Sequence, residues 1–428
     1  MQINCANLGA EIKLSDHIRS TSEMVRVINL QPDQTFYVDV TLDGEYSNPP
    51  LPTDPKELKK VWTGKAGRKG VHQPLLSFVE GTGFTVRFAD GVEVCNSQGR
   101  GVVFADCHDF DAYDVWVRGA RTAGISLHDC DGFQLHQPTT IDTGNYQDEK
   151  HEGPNWPGSI KFVGCSDYSV FRPISLDHLG NGITATESIS GYWSKGIAID
   201  VRGAHYYVNA APHHSVYDAV SVGEQSAYVV NSEEENDGVS AAPEFDGCHS
   251  LGSRVGLGFW GNERKQGLVI DKAYACDCVF IYTEDGLKIH PNATINNLDT
   301  EGTIYLPQAD VDTATLATLR EQSATLKATI LRHASNEEID TEARKLRELF
   351  AALRPVVKPV ETLYTLGQQL YIVATVTDAE KASSRVLAGG NVGGLDLQLV
   401  TTENPFARNE ALTNRLQQIA LMATDGVQ

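Results

Sequence analysis

The sequence predicts an all-β fold, a parallel β-solenoid, on three observations. Segments that begin with glycine and alternate apolar residues recur as Gly101-Val-Val-Phe-Ala-Asp-Cys107, Gly124-Ile-Ser-Leu-His-Asp-Cys130 and Gly158-Ser-Ile-Lys-Phe-Val-Gly-Cys165. Each is followed by two more short apolar strands. The second reads Phe133-Gln-Leu-His136 or Tyr168-Ser-Val-Phe171, and the third Thr139-Thr-Ile-Asp142, Ile174-Ser-Leu-Asp177 or Ile197-Ala-Ile-Asp200. The step from Cys107 to Cys130, and from Asp177 to Asp200, is 23 residues. Three short strands in about two dozen residues cannot bury their own inner face, so such units stack and share a core.

Taken in order, residues 1–75 depart from this pattern and are expected to form an amino-terminal cap over the solenoid's open end. Within them 23–30 and 34–40 read as strands, and 47–74, rich in Pro, Gly and Lys, as an exposed loop. Residues 76–300 are assigned to the solenoid. Three long insertions, 143–157, 203–218 and 243–252, follow the third strand and are expected to wall a groove. From 301 to 428 the texture becomes helical, giving a carboxy-terminal cap or oligomerisation segment. Helical spacing spans 313–333 and 336–353, with a capping Ser335 and a terminating Pro355. The two helices pair as a hairpin, or with copies in a homo-trimer. Strands are expected in 363–376, a glycine-containing loop in 379–402, and a last amphipathic helix over 405–424.

Strand alternation puts Ile141 inward and Asp142 outward, and the same register recurs at Asp177, Asp200 and Val269-Ile270-Asp271. The rung at 239–242 lacks the acid, and Arg118-Gly119 stands at its place one rung before Asp142. Stacked strands are about 4.8 Å apart, so Asp142, Asp177 and Asp200 form an outward column of like charges.

Composition narrows the function classes. The 428 residues carry 41% apolar side chains and a net charge of −21. That charge argues against nucleic acid and against anionic membranes as partners. Local basic residues, Arg118, Arg121, Arg202 and Lys272, still suit an anionic polysaccharide. Of eight cysteines, Cys107, Cys130 and Cys165 share one turn position and read as a buried ladder rather than as disulfides. No cysteine–histidine spacing suits zinc. The amino terminus shows no secretory signal, so the chain is expected to be cytoplasmic or particle-associated unless a leader lies outside it.

The Gly-Ile-x-Leu strand starts, the polar turn ladder and the Val/Ile-x-Val/Ile third strand resemble those of the right-handed parallel β-helix proteins of the pectate lyase-like superfamily. The resemblance covers about residues 76–300. It implies a right-handed helix with a site in a lateral groove, in a group that includes polysaccharide lyases, glycoside hydrolases, epimerases and phage tailspike depolymerases. The polygalacturonase and calcium-lyase motifs are absent, so the resemblance transfers no catalytic residue.

Chemistry then selects the candidates. Glycoside hydrolysis uses two carboxylates, about 5 Å apart for retention or about 6.5–9.5 Å for inversion. Asp177, flanked by Asp142 and Asp200, is the central catalytic candidate, with His178 as the base if the reaction is instead β-elimination. Arg202, Lys272, Trp156, His205, Tyr206 and Tyr207 are the expected substrate-binding residues, and Trp260 a further stacking platform. No cofactor is called for, although a calcium ion held by the aspartates would relieve their repulsion. The expected function is hydrolytic cleavage of a polysaccharide or oligosaccharide. The alternatives are a glycan-binding adhesin or particle spike, or a structural solenoid whose aspartates serve turns.

Overall fold

The computed structural model describes residues 1–45, 73–144, 158–231, 239–241, 243–260, 268–271, 273–289, 293–295, 298–299 and 304–353, together with strands between 360 and 402. The chain divides into two compact units, residues 1–211 and 212–428. Parallel β-solenoid architecture is present in both.

In the first unit the rungs from Val25–Ile28 to Asn181–Thr186 have three strands each, paired in parallel with their counterparts a rung away, and the first rung has two. First strands run Gln2–Asn4, Val25–Ile28, Leu76–Val79, Val102–Ala105, Ile125–His128, Gly158–Val163, Asn181–Thr186 and Tyr206–Asn209. Second strands run from Glu11–Lys13 and Thr35–Val38 through Gln134–His136 to Ile189–Ser194. Third strands are Leu42–Asp43, Val94–Cys95, Trp116–Arg118, Thr139–Ile141, Ile174–Leu176 and Ile197–Ile199. The ladder therefore begins at Gln2, and residues 1–45 already carry rungs where the sequence suggests a separate cap.

The core is a stack of rings. Phe84, Phe110, Phe133 and Tyr168, each one residue before a second strand or at its matching position, stack with centroids 5.0–5.1 Å apart. Phe104 and Phe162, from first strands, pack against Phe110 and Tyr168, and Phe78 stacks on Phe104. Parallel stacking brings identical positions into register, so one apolar choice repeated per rung fills a continuous column. Cys107, Cys130 and Cys165 form the buried turn ladder that their spacing predicts, as free thiols.

Third strands have their faces opposite to the expected sense. The register Leu42, Val94, Val117, Thr140, Ser175, Ala198 defines the interior column. The flanking positions face outward, where Arg118 Nε donates to Glu93 Oε2 at 3.1 Å. Ile141, Leu176 and Ile199 thus lie on the outer face, yet they too are buried. A sheet covered on both sides reads as a continuous apolar run and hides its alternation.

In the second unit Ser215–Tyr217, Glu244–Asp246, Ala273–Cys276 and Leu298–Asp299 make one parallel ladder. Val220–Val222 pairs with the start of His249–Trp260, which pairs with Val279–Ile289, and that strand with Ile304–Pro307. Asp271 belongs to a separate ladder of Val239–Ala241, Leu268–Asp271 and Ala293–Ile295, paired with Ala241. It does not continue the aspartate register.

Helices α1 (Thr313–Leu331) and α2 (Asn336–Ala351) match the sequence expectation, with Asp312 and Ser335 accepting from the amides of Thr315 and Glu338. They form a hairpin: Gln322 Nε2 donates to the Glu342 carbonyl and carboxylate at 3.1 and 2.8 Å. On α2, Phe350 stacks on His249 at 5.0 Å and Arg347 Nε donates to the Asp218 carbonyl. Val360–Leu366 and Gln369–Ala374 pair antiparallel. The stretch expected as a loop over 379–402 contains Ser384–Val386, Gly390–Val392, Leu395–Leu397 and Val400–Thr402. The helix expected over 405–424 lies outside the described residues.

The ring column predicts a sharp contrast. Phe133→Ala removes a fully buried member and should cost about 3–5 kcal/mol in urea unfolding. Phe171→Ala, on the half-exposed outer side of its strand, should cost well under half of that. Equal losses would contradict the assignment of faces.

Candidate functional site

Second strands lead to third strands through two residues at 114–115 and 137–138, whereas third strands reach the next first strand through four or more. The chain enters a left-handed backbone region at these corners, as at Asp106 and Asp129 after first strands, Asp114 and Gln137 after second strands, and Asp142, Asp177 and Asp200 after third strands. Aspartate tolerates that region better than most L-residues because its short side chain bonds locally. Turn stereochemistry alone therefore accounts for an aspartate at these places.

The consequence for the column is geometric. Ile141 pairs with Leu176 and Leu176 with Ile199, so the three following aspartates occupy successive rungs of one edge. The amide of Asp142 donates to the Leu176 carbonyl and that of Asp177 to the Ile199 carbonyl, both at 3.1 Å. Asp142 and Asp200 are exposed and Asp177 is half-buried. The column borders solvent, but it does so at the edge of an apolar outer face that is closed to solvent, not at the floor of an open groove.

The other candidates separate into three groups. His178, His205 and Tyr206 are fully buried. Thr143 Oγ1 lies 2.8 Å from His178 Nδ1, and a Cβ at Gly144, whose φ is +69°, would sit 2.1 Å from the imidazole. The ring is sealed beneath that glycine, away from any proton on a bound sugar. Arg202 is exposed and Tyr207 half-buried. Trp156 and Lys272 lie outside the described residues. Of the expected groove walls, 143–157 is largely outside the described residues too. Residues 203–218 are not an insertion: they contain the strands Tyr206–Asn209 and Ser215–Tyr217. Likewise 243–252 contains Glu244–Asp246 and the start of His249–Trp260, where Trp260 is half-buried.

Among the described residues, the one group of three side chains whose metal-ligating atoms lie within 4.8 Å of one another is Asp246, Cys276 and Asp277 in the second unit. The aspartate column does not converge in that way, so it offers calcium no six- to eight-oxygen cage by itself.

Sequence reasoning missed the outer face of the first strands. In Ile125-Ser-Leu-His128 and Ile160-Lys-Phe162, the apolar residues point into the ring stack and Ser126, His128 and Lys161 point out. Thr184 and Asn209 continue those two outward rows. The signal was present as polar residues at every second position. What could not be read was that Ser126, Lys161, Thr184 and Asn209 are buried.

Burial also sets a pH dependence. Desolvation lowers the imidazoles of His128 and His205 from 6.5 to about 4 and that of His214 to about 3. The unfolded chain binds these protons more readily, so stability is full above about pH 6.5 and falls as pH drops towards 4. On unfolding at about pH 5.5 these imidazoles should take up protons from solvent, and at about pH 8 almost none. No difference in uptake between the two would contradict the burial.

No protein-family model matches the sequence, and no curated protein matches it either.

Proposed function

We propose that the protein is a carbohydrate-active enzyme that hydrolyses a polysaccharide along the edge defined by Asp142, Asp177 and Asp200. The observation that supports this reading is the run of three carboxylates on successive rungs of one solvent-facing edge. One strand step is about 4.8 Å and two steps about twice that. These bracket the separations used for retaining and inverting hydrolysis. Asp177 is the member with an aspartate on either side, so it serves as the acid that protonates the leaving oxygen. A neighbouring carboxylate then attacks the anomeric carbon or directs water to it. β-Elimination with His178 as base is less well supported, because that imidazole is buried.

A second reading has its own observation. Asp106 and Asp129 share the left-handed conformation on a different edge, where no function is needed to explain them. On that reading the solenoid binds glycans without cleaving them, as an adhesin or particle spike would.

Asp177→Asn separates the two. Asparagine also tolerates the left-handed region, so the fold and its melting temperature should be retained. If the edge is catalytic, release of reducing sugar from a polysaccharide panel should fall by several orders of magnitude, since the amide neither ionises nor donates an acidic proton. Unchanged release by the variant would end the catalytic reading, as would no release from any member by the wild type. As a control on the turn itself, Asp177→Val should cost about 1–2 kcal/mol in stability, because a β-branched residue is strained at that φ.

A further inference from the structure

The corners after the third strands stack in register as Gly119-Ala120, Asp142-Thr143, Asp177-His178 and Asp200-Val201. The amides of Gly144, Leu179 and Arg202 donate to the carbonyls of Ala120, Thr143 and His178 at 3.0, 3.2 and 2.8 Å. Asp142, Asp177 and Asp200 share nearly one backbone conformation, with φ of 52°, 52° and 56°. The backbone therefore does not distinguish them. The residue after each aspartate does.

Thr143 and His178 are both fully buried, and Thr143 Oγ1 lies 2.8 Å from His178 Nδ1. Either tautomer makes that hydrogen bond, since a hydroxyl both donates and accepts. The imidazole of one rung thus reaches back to the rung before. There it is also wedged against Gly144, where an added Cβ would stand 2.1 Å from Cε1 and 2.7 Å from each ring nitrogen. The steps on either side have Ala120 and Val201 at the matching places, and neither side chain carries a polar atom. Asp142 and Asp177 are thus the two aspartates of the column whose next residues are tied to each other by their side chains.

Resting on the catalytic reading of this edge, we infer that Thr143 and His178 are positioning residues that select Asp142 and Asp177 as the working pair and so make the hydrolysis retaining. One rung step, about 4.8 Å, matches the roughly 5 Å used for retention, whereas Asp142 and Asp200, two steps apart, would match inversion. In the first half of the reaction Asp177 gives its proton to the leaving oxygen. An Asp142 carboxylate oxygen bonds to the anomeric carbon, and the carbon's bond to the leaving oxygen breaks with its electron pair. Water then attacks the same carbon and loses a proton to Asp177, and the bond to Asp142 breaks, restoring both carboxyl groups. Covalent attack of this kind tolerates little change in the distance between the two carboxyls, which a buried side-chain bond directly behind them holds. His178, expected from the sequence as a base, acts instead through its neighbour.

Two measurements on a polysaccharide that the wild type cleaves test this. Proton NMR of the first-formed reducing ends should show the same anomeric configuration as the bond that was cut. Thr143→Val keeps the side chain's shape without the hydroxyl, and should lower kcat about tenfold or more with KM within about twofold. Thr143→Ser keeps the hydroxyl and should restore kcat to near the wild-type value. A bond that served stability alone would lower the melting temperature of Thr143→Val and leave kcat, measured well below that temperature, unmoved. Inverted product, or an unimpaired kcat in Thr143→Val, overturns the inference and leaves the catalytic reading standing. A wild type that cleaves no member of the panel ends both. Should Thr143→Val fail to fold, the anomeric configuration of the wild-type product decides alone.

Discussion

The first unit depends on one constraint: the backbone must turn a corner after every strand and arrive in register with the rung below. It does so by placing one or two residues in the left-handed region at its corners, as Asp106 with Asp109, Gln137, and Asp142 with Gly144 do on their respective edges. Because the corners stack, so does everything between them. The ring column of Phe110, Phe133 and Tyr168, the thiol ladder and the aspartate edge are three results of one repeated geometry. Any side chain that recurs at a corner becomes a column whether or not a column is useful. That is why the aspartates are at once a natural turn solution and a natural place for two-carboxylate chemistry.

The faces between the corners are not equivalent. The outer face of the third strands carries Ile174, Leu176, Ile197 and Ile199, all buried. The outer face of the second strands carries a part-exposed ladder of Arg87, Tyr113, His136 and Phe171, whose rings stack on one another and so present edges to solvent. The outer face of the first strands is polar, cationic and short of hydrogen-bond partners. Buried polar atoms without a partner occur on this face at Ser126, Thr184 and Asn209 and on the second-strand face at His136 Nε2.

Much of the fold was legible because repetition is legible. The three-strand rung, its 23-residue step, the cysteine ladder and both helices, the second with its capping Ser335, could be read from the sequence alone. Facing was harder. Thr140-Ile141-Asp142 alternates in a way that suggests an inward isoleucine, but a sheet covered on both sides places apolar residues on both, and the pattern then carries no sign. The supposed wall at 203–218 failed for a related reason. Its tyrosines and histidines look like loop chemistry, yet Tyr206 continues the first-strand column of Ile160 and Ile183 and is interior. The early strands at 2–43 lack the glycine starts, so their membership of the ladder showed only in the pairing.

The site was legible as a column and not as a surface. Sequence reasoning found the residues that repeat, Asp142, Asp177 and Asp200, and could not show that the neighbouring His178 and His205 are sealed from solvent. The central claim is that a glycan lies along the aspartate edge, and carboxylate labelling tests it directly. A water-soluble carbodiimide would modify exposed aspartates with and without an added acidic polysaccharide, with mass spectrometry reading each site. The account predicts protection of Asp142, Asp177 and Asp200, and none of Asp106 and Asp129, which share their conformation on another edge. Protection at Asp106 and Asp129 instead, or labelling that the polysaccharide leaves unchanged everywhere, would contradict it.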